Sequence, residues 1–181
     1  MKQIYFQSNR DGTRSDEALS LWESEHAVSL PADYRNYIIR YGAKYVYPNA
    51  FSQKIPEAVY AESEGYSVLE KIYGWGYVNS NWRKEVYGVG TPEGYLIIGD
   101  AQGFQVLLSL RQTDFGQVFC WIPTVSAWGS PDNNRNHLYL QADSFGDFLE
   151  TLFDTEIGLC FFDGESMQAK SECFVTDSLA G

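Results

Sequence analysis

From Thr91 to Ile122 the chain reads TPEGYLIIGDAQGFQVLLSLRQTDFGQVFCWI. An apolar run from Tyr95 to Ile98 stops at Gly99-Asp100. After the turn at Ala101-Gln102-Gly103, Phe104, Val106, Leu108 and Leu110 alternate with Gln105, Leu107 and Ser109. Arg111 to Gly116 is a polar turn closing on Gly. Val118, Cys120 and Ile122 then alternate with Phe119 and Trp121. Successive side chains of a strand point to opposite faces, so this period of two predicts three short strands in a half-buried antiparallel meander. The stretch reads as a scaffold, with no catalytic pattern in it.

Helical patterns lie on either side. Ser15 reads as an N-cap, with Asp16 and Glu17 in the first turn, where negative charge complements the helix dipole. Ala18, Leu19, Trp22 and His26 form the apolar stripe of that helix. Leu30-Pro31-Ala32-Asp33 starts a second helix, because Pro is tolerated in a first turn and Asp is favoured there. Tyr34, Tyr37, Ile38 and Tyr41 line one face of it, and Gly42 supplies a left-handed stop. The two make a helical hairpin. Further on, Ser144 with Asp147 gives a variant capping box. Phe145, Phe148, Leu149, Leu152 and Phe153 follow as a third stripe, with Asp147, Glu150 and Asp154 facing away.

The remaining segments carry weaker patterns. Lys44 to Phe51 reads as a loop around Pro48-Asn49, and Ile55 to Tyr60 as a strand beginning beside Pro56. Gly74-Trp75-Gly76-Tyr77 reads as a turn presenting aromatics, and Asn79 to Tyr87 as holding one helical turn. Pro123 to Asn136 is a polar loop carrying Trp128. His137 to Gln141 and Ile157 to Phe162 read as strands, and the tail is acidic. Trp75, Tyr77, Trp82 and Tyr87 have few apolar neighbours in sequence, which suits an exposed contact patch. The large area that aromatic rings bury argues instead for core.

Composition narrows the function. The 181 residues carry a formal net charge of -11, five Trp, 13 Tyr and 11 Phe. Residues 1–90 hold 10 basic and 11 acidic residues, whereas residues 91–181 hold 3 and 13. Such a chain is a poor general nucleic-acid binder, since phosphate contacts need a basic surface. The acidic half is either a solvated face or a surface for a basic partner. Cys120, Cys160 and Cys173 form no CxxC, which suits reduced thiols in the cytoplasm. No apolar run reaches membrane-spanning length.

Enzyme constellations are thin. The two His and three Cys have no metal-ligand spacing, so no metal and no cofactor is expected. A nucleophile pair of His137 with Cys160 or Cys173 is arithmetically open, but free Cys is more often a buried small hydrophobe. Gly74-x-Gly76 lacks its third glycine, and Gly88-x-Gly90-x-x-x-Gly94 has the wrong spacing for a dinucleotide fingerprint. No catalytic residue is assigned.

Taken together, LPADYRNYIIRYGA, GTPEGYLIIGDAQGFQVLLSLR, GQVFCWI and ADSFGDFLETLFD resemble, in that order, the SUKH superfamily, the Smi/Knr cell-wall-regulator-like group. The chain departs from the pattern at Tyr41-Gly42-Ala43, where a Gly-Gly pair is common, and in its tail after Asp154. The resemblance covers residues 15–154, leaving an N-terminal segment, 1–14, and an acidic C-terminal extension, 155–181. It implies an α+β fold, a twisted antiparallel sheet with the helical hairpin and a C-terminal helix packed beside it. It also implies a non-catalytic immunity protein that neutralises a nuclease or deaminase toxin, or a regulatory scaffold related to cell-wall-synthesis regulators. The expected partner is a basic protein toxin, with no nucleic acid and no membrane, bound by a monomer or weak dimer. Trp75, Tyr77, Trp82 and Trp128 are the candidate anchors, and Glu62, Glu64, Asp132 and Asp147 the candidate steering charges.

Overall fold

The computed structural model describes residues 3–7, 12–42, 45–55, 65–83, 85–86, 89–122, 138–155 and 172–175. Strands β1 (Gln3–Gln7), β2 (Tyr45–Tyr47) and β11 (Glu172–Val175) form a three-stranded sheet in the order β11-β1-β2. The main sheet takes six strands: β3 (Ala50–Ser52), β4 (Tyr66–Ile72), β7 (Tyr95–Ala101), β8 (Phe104–Ser109), β9 (Val118–Trp121) and β10 (Leu138–Ala142). Their order is β10-β9-β8-β7-β4-β3, antiparallel at every described pairing. A separate two-residue pair joins β5 (Glu85–Val86) to β6 (Val89–Gly90).

The helices are α1 (Asp16–His26), α2 (Ala32–Arg40), α3 (Trp75–Asn81) and α4 (Phe145–Thr151). Their local causes match the sequence signals. The Ser15 hydroxyl accepts from the Ala18 amide, and the Ser144 hydroxyl from the Asp147 amide, each satisfying a donor that a helix start leaves open. Arg35 clasps the hairpin. Its guanidinium donates to Asp16 Oδ1 at 2.9 Å, Glu23 Oε2 at 2.5 Å and Ser20 Oγ at 2.8 Å. Burial opposes its charge, but Asp16 and Glu23 outweigh that and hold the pKa above its ordinary value.

One aromatic chain runs through the core. Phe6 meets Tyr37 at 5.3 Å, Tyr37 meets Phe145 at 5.0 Å, Phe148 meets Phe51 at 5.3 Å, and Phe51 meets Phe104 at 6.0 Å. Rings therefore link β1, α2, α4, β3 and β8, and edge-on contacts of this kind stabilise beyond the area they bury.

The α+β architecture expected from the sequence is present, with local differences, among them that α4 ends at Thr151 and Phe153, expected on its stripe, instead bridges to Ala50. Lys44 to Phe51 was expected as a loop, yet Tyr45–Tyr47 and Ala50–Ser52 are strands on either side of a cis Tyr47-Pro48 bond. Pairing with β1 and β4 outweighs the local turn signal. The turn expected at 74–77 is the start of α3, with Gly74 as its N-cap. The meander is buried on both faces, since Gln105, Leu107 and Ser109 are as covered as Val106 and Leu108. Polar members tolerate this because Gln105 Nε2 donates to Asp100 Oδ1 at 2.8 Å and Ser109 Oγ to Asp114 Oδ1 at 2.6 Å. The sheet also curls. Lys54, just past β3, donates its amide to the Gln141 side chain and its ammonium to the Gln141 carbonyl of β10, tying the two edge strands together. The strand expected at Ile157 to Phe162 lies outside the described residues.

Three glycines fix where the helices sit. A Cβ built on Gly12 would lie 2.1 Å from the Gly42 carbonyl oxygen, one on Gly42 2.3 Å from the Gly12 backbone, and one on Gly74 2.7 Å from the Gly12 Cα. Gly42 also has φ +48, a conformation that L side chains rarely adopt. Gly76, inside α3, meets nothing within 4 Å. Gly42→Ala is expected to destabilise by at least about 2 kcal/mol, from strain plus backbone clash. Gly76→Ala should stabilise by about 0.5 kcal/mol through helix propensity. Urea unfolding of both variants checks the opposite signs, and equal shifts would contradict the close packing.

Candidate partner-binding surface

The sequence-derived anchors divide sharply by burial. Trp75 and Trp82 are in the core. Both pack on Trp22 of α1, with ring centres at 5.0 and 5.5 Å, and the Trp22 indole donates to Asn79 Oδ1 at 2.8 Å. His26 stacks on Trp22 at 4.6 Å, with Nδ1 2.8 Å from the Trp22 carbonyl oxygen. The cluster pins α3 to α1, which is the core reading of these rings. Tyr77 is 37% exposed and stacks on Tyr73 at 3.8 Å. Asp147 is exposed on α4. Trp128, Glu62, Glu64 and Asp132 lie outside the described residues, as do His137 and Cys160. Cys120 is buried, which pushes its thiol pKa up and makes it a poor nucleophile.

A concavity of about 850 Å³ lies between the α1–α2 connection, the end of α3 and the loop before β7. Val28, Pro92 and Leu138 line it beside two arginines that stand over rings. Arg83 lies 5.2 Å from the Trp82 ring centre and Arg111 lies 5.6 Å from that of Tyr95. Arg83 holds φ 58, an uncommon backbone state for a residue with a side chain. Its described lining includes no His, Cys or Ser. Glu93 adds a carboxylate to the same wall, so the concavity offers both signs of charge beside aromatic faces.

Below Arg111 lies a polar knot. The Asp114 carboxylate accepts from Ser109 Oγ at 2.6 Å and from the Tyr95 hydroxyl at 2.9 Å, and Arg111 donates to the Tyr95 oxygen at 3.1 Å. Burial first, and the hydrogen bond to Asp114 next, push the Tyr95 phenol up to about 12.

The knot holds the β8–β9 turn, and that turn displays Phe115, 46% exposed. Three elements converge beside it. Gln117 Nε2 donates to Asp143 Oδ1 at 3.1 Å, Gly116 lies against Pro31 at the start of α2, and the Gly146 amide donates to Asp33 Oδ2 at 2.8 Å. The exposed carboxylates Asp143 and Asp147 therefore share a surface with the Phe115 turn. Residues 138–155 also carry Glu150 and Asp154 and contain no Lys or Arg. Among the described residues no cation pairs with Asp143 or Asp147. The sequence pattern places Phe115 within a polar turn and assigns it no role. Its signal was an aromatic between Asp114 and Gly116, where no strand or helix face exists to bury it.

The sequence profile of the SMI1 / KNR4 family (SUKH-1) matches residues 14–151. The chain belongs to this family. The SUKH match runs from the residue before the Ser15 cap to the last residue of α4, and so contains the hairpin, the main sheet and the Phe115 turn. No curated protein matches the chain significantly. SUKH domains are generally non-catalytic immunity or regulatory domains. Among the described residues no group of three or more His, Cys, Asp or Glu could hold a metal ion. No described helix is long and apolar enough to cross a membrane.

Two measurements test this geometry. Trp75→Ala should cost about 3–5 kcal/mol as a core truncation, whereas Tyr77→Ala should cost under about 1 kcal/mol; chemical denaturation separates them. The raised Tyr95 pKa makes the protonated phenol a stabilising form. That contribution is complete below pH ~10 and is lost as pH rises through about 12. Asp114→Asn should bring the Tyr95 titration down, read by NMR of the labelled tyrosine ring. An unchanged titration would remove Asp114 from the cause.

Proposed function

We propose that this SUKH-1 chain is an immunity protein, acting in the cytoplasm, that neutralises a cognate toxin by stoichiometric binding. The toxin is a basic protein, a nuclease or deaminase of a cell-to-cell toxin system. Family membership supports the class, since SUKH-1 includes immunity proteins. The observation that carries the reading is the acidic surface of β10 and α4, where Asp143 and Asp147 are exposed and, among the described residues, form no ion pair. Enzymes that act on nucleic acid need a basic cleft, and an acidic protein docked there takes the place of phosphate. Such charge speeds encounter and selects against wrong partners, while most of the affinity comes from buried contacts.

The test is to express the tagged chain from DNA that includes its native flanks and to identify what co-purifies at low and high salt. A stoichiometric, neighbour-encoded basic protein that is lethal when expressed alone is the expected result. A partner that is harmless alone would move the reading to the regulatory scaffold. With the toxin in hand, Asp143→Lys combined with Asp147→Lys should slow association about tenfold at low salt, with the difference shrinking as salt rises. Association that ignores both the charge reversal and the salt would sink the electrostatic part.

A further inference from the structure

Phe115 is one of four large hydrophobic residues exposed among those described, with Leu21, Tyr77 and Leu140. Leu21 lies on a helix and Leu140 on a strand, where an exposed apolar side chain is common. Phe115 is different, because the backbone on both sides of it is pinned. Asp114 is held by its hydrogen bonds to Ser109 and Tyr95. The Gly116 amide donates to the Ser109 carbonyl at 2.9 Å, the Gln117 amide to the Asp114 carbonyl at 3.0 Å, and Gly116 at φ +83 lies against Pro31. A ring displayed from such a turn has already met the ordering cost that binding normally exacts.

The surroundings say what it fits. On one side of Phe115 is a hollow of about 350 Å³ bordered by Ser24, Ala27, Val28, Leu110 and Gln112, large enough for a partner side chain. On the other, two residues along the chain, Gln117 bonds Asp143, and the surface turns acidic. A fixed aromatic knob next to a hollow, with unpaired carboxylates at the margin, is the layout of an interface centre with its charged rim. A second copy of this chain would bring the same carboxylates against these, since a two-fold interface repeats its own patch. A phosphate-rich surface would be repelled.

We infer that Phe115 is the apolar anchor of the partner interface, inserting into a basic protein whose own side chain fills the adjacent hollow. The inference depends on the immunity reading, for it takes the neutralised toxin as the occupant. The anchor sets how long the complex lasts, and Asp143 and Asp147 set how fast it forms.

The experiment uses the full chain and the neighbour-encoded toxin in a catalytically dead form, with association and dissociation followed by surface plasmon resonance. Phe115→Ala should raise the dissociation rate by at least about thirtyfold and leave association within about threefold, as expected for a hot-spot residue. Its thermal midpoint should fall by no more than about 4 °C, because the ring is half exposed. Phe115→Trp should retain slow dissociation, and Leu21→Ala, at a comparably exposed apolar site, should change little. A Phe115→Ala dissociation rate within about threefold of the unsubstituted value, or one matched by Leu21→Ala, overturns the anchor while leaving the immunity reading intact. A toxin that does not bind the unsubstituted chain at all overturns the immunity reading, and the anchor falls with it.

Discussion

Backbone meets backbone at Gly12, Gly42 and Gly74, and the placement of every helix but α4 follows from that contact. The three belong to the approach to α1, the end of α2 and the start of α3. No side chain fits between them, so their separations are set by van der Waals radii and cannot be adjusted by repacking. Once α1 and α3 start from one point, Trp22 must meet Trp75 and Trp82, and the indole bond from Trp22 to Asn79 follows. Once α2 ends there, Pro31 and Asp33 at its other end reach the β8–β9 turn and α4. The candidate surface is thus located by a contact at the opposite end of a nine-residue helix.

How much of this was legible in the sequence depended on how local each cause is. Ser15, Pro31, Gly42 and the Ser144–Asp147 pair act within one helical turn, and their helices begin or end where those residues stand. The meander was legible for the same reason. The short strands around Pro48 were not, because β2 and β3 owe their conformation to partners far along the chain. Nothing in the sequence near Trp75 and Trp82 shows what they pack on, and Trp22, more than fifty positions earlier, is a ring that both meet in the core. Burial on both faces of β8 was hidden likewise, since Gln105 and Ser109 look like solvent residues until the Gln105 amide is seen to donate to Asp100 and the Ser109 hydroxyl to Asp114.

Phe115 is hidden in the sequence for a related reason. Period-two reading assigns faces to strand residues and gives no face to a turn residue. An aromatic in a tight turn then vanishes into the polar average of its neighbours. The structure restores it because the turn is built from buried bonds, through Ser109, Asp114 and Tyr95, and not from its surface residues.

Two sets of described carboxylates in this acidic chain have different physical roles. Asp16 and Glu23 are spent on Arg35, Asp33 on the Gly146 amide, and Asp114 on Ser109 and Tyr95. Asp16 and Glu23 are matched by Arg35 and Asp114 by Arg111, so their fields outside the fold are weakened, while Asp33 is part-buried against amides. The Asp143 carboxylate accepts from the Gln117 amide and that of Asp147 from the Ser144 hydroxyl, both neutral donors, and both are exposed, so their charge reaches solvent. A net charge of -11 would therefore mislead as a measure of attraction, because the outward field comes from a subset of the acids. That field also decays within about 8 Å at physiological salt, so it can guide a basic protein to this face but cannot fix its orientation. Orientation needs a rigid, shaped contact beside the charge, and on this face the structure supplies one at the β8–β9 turn.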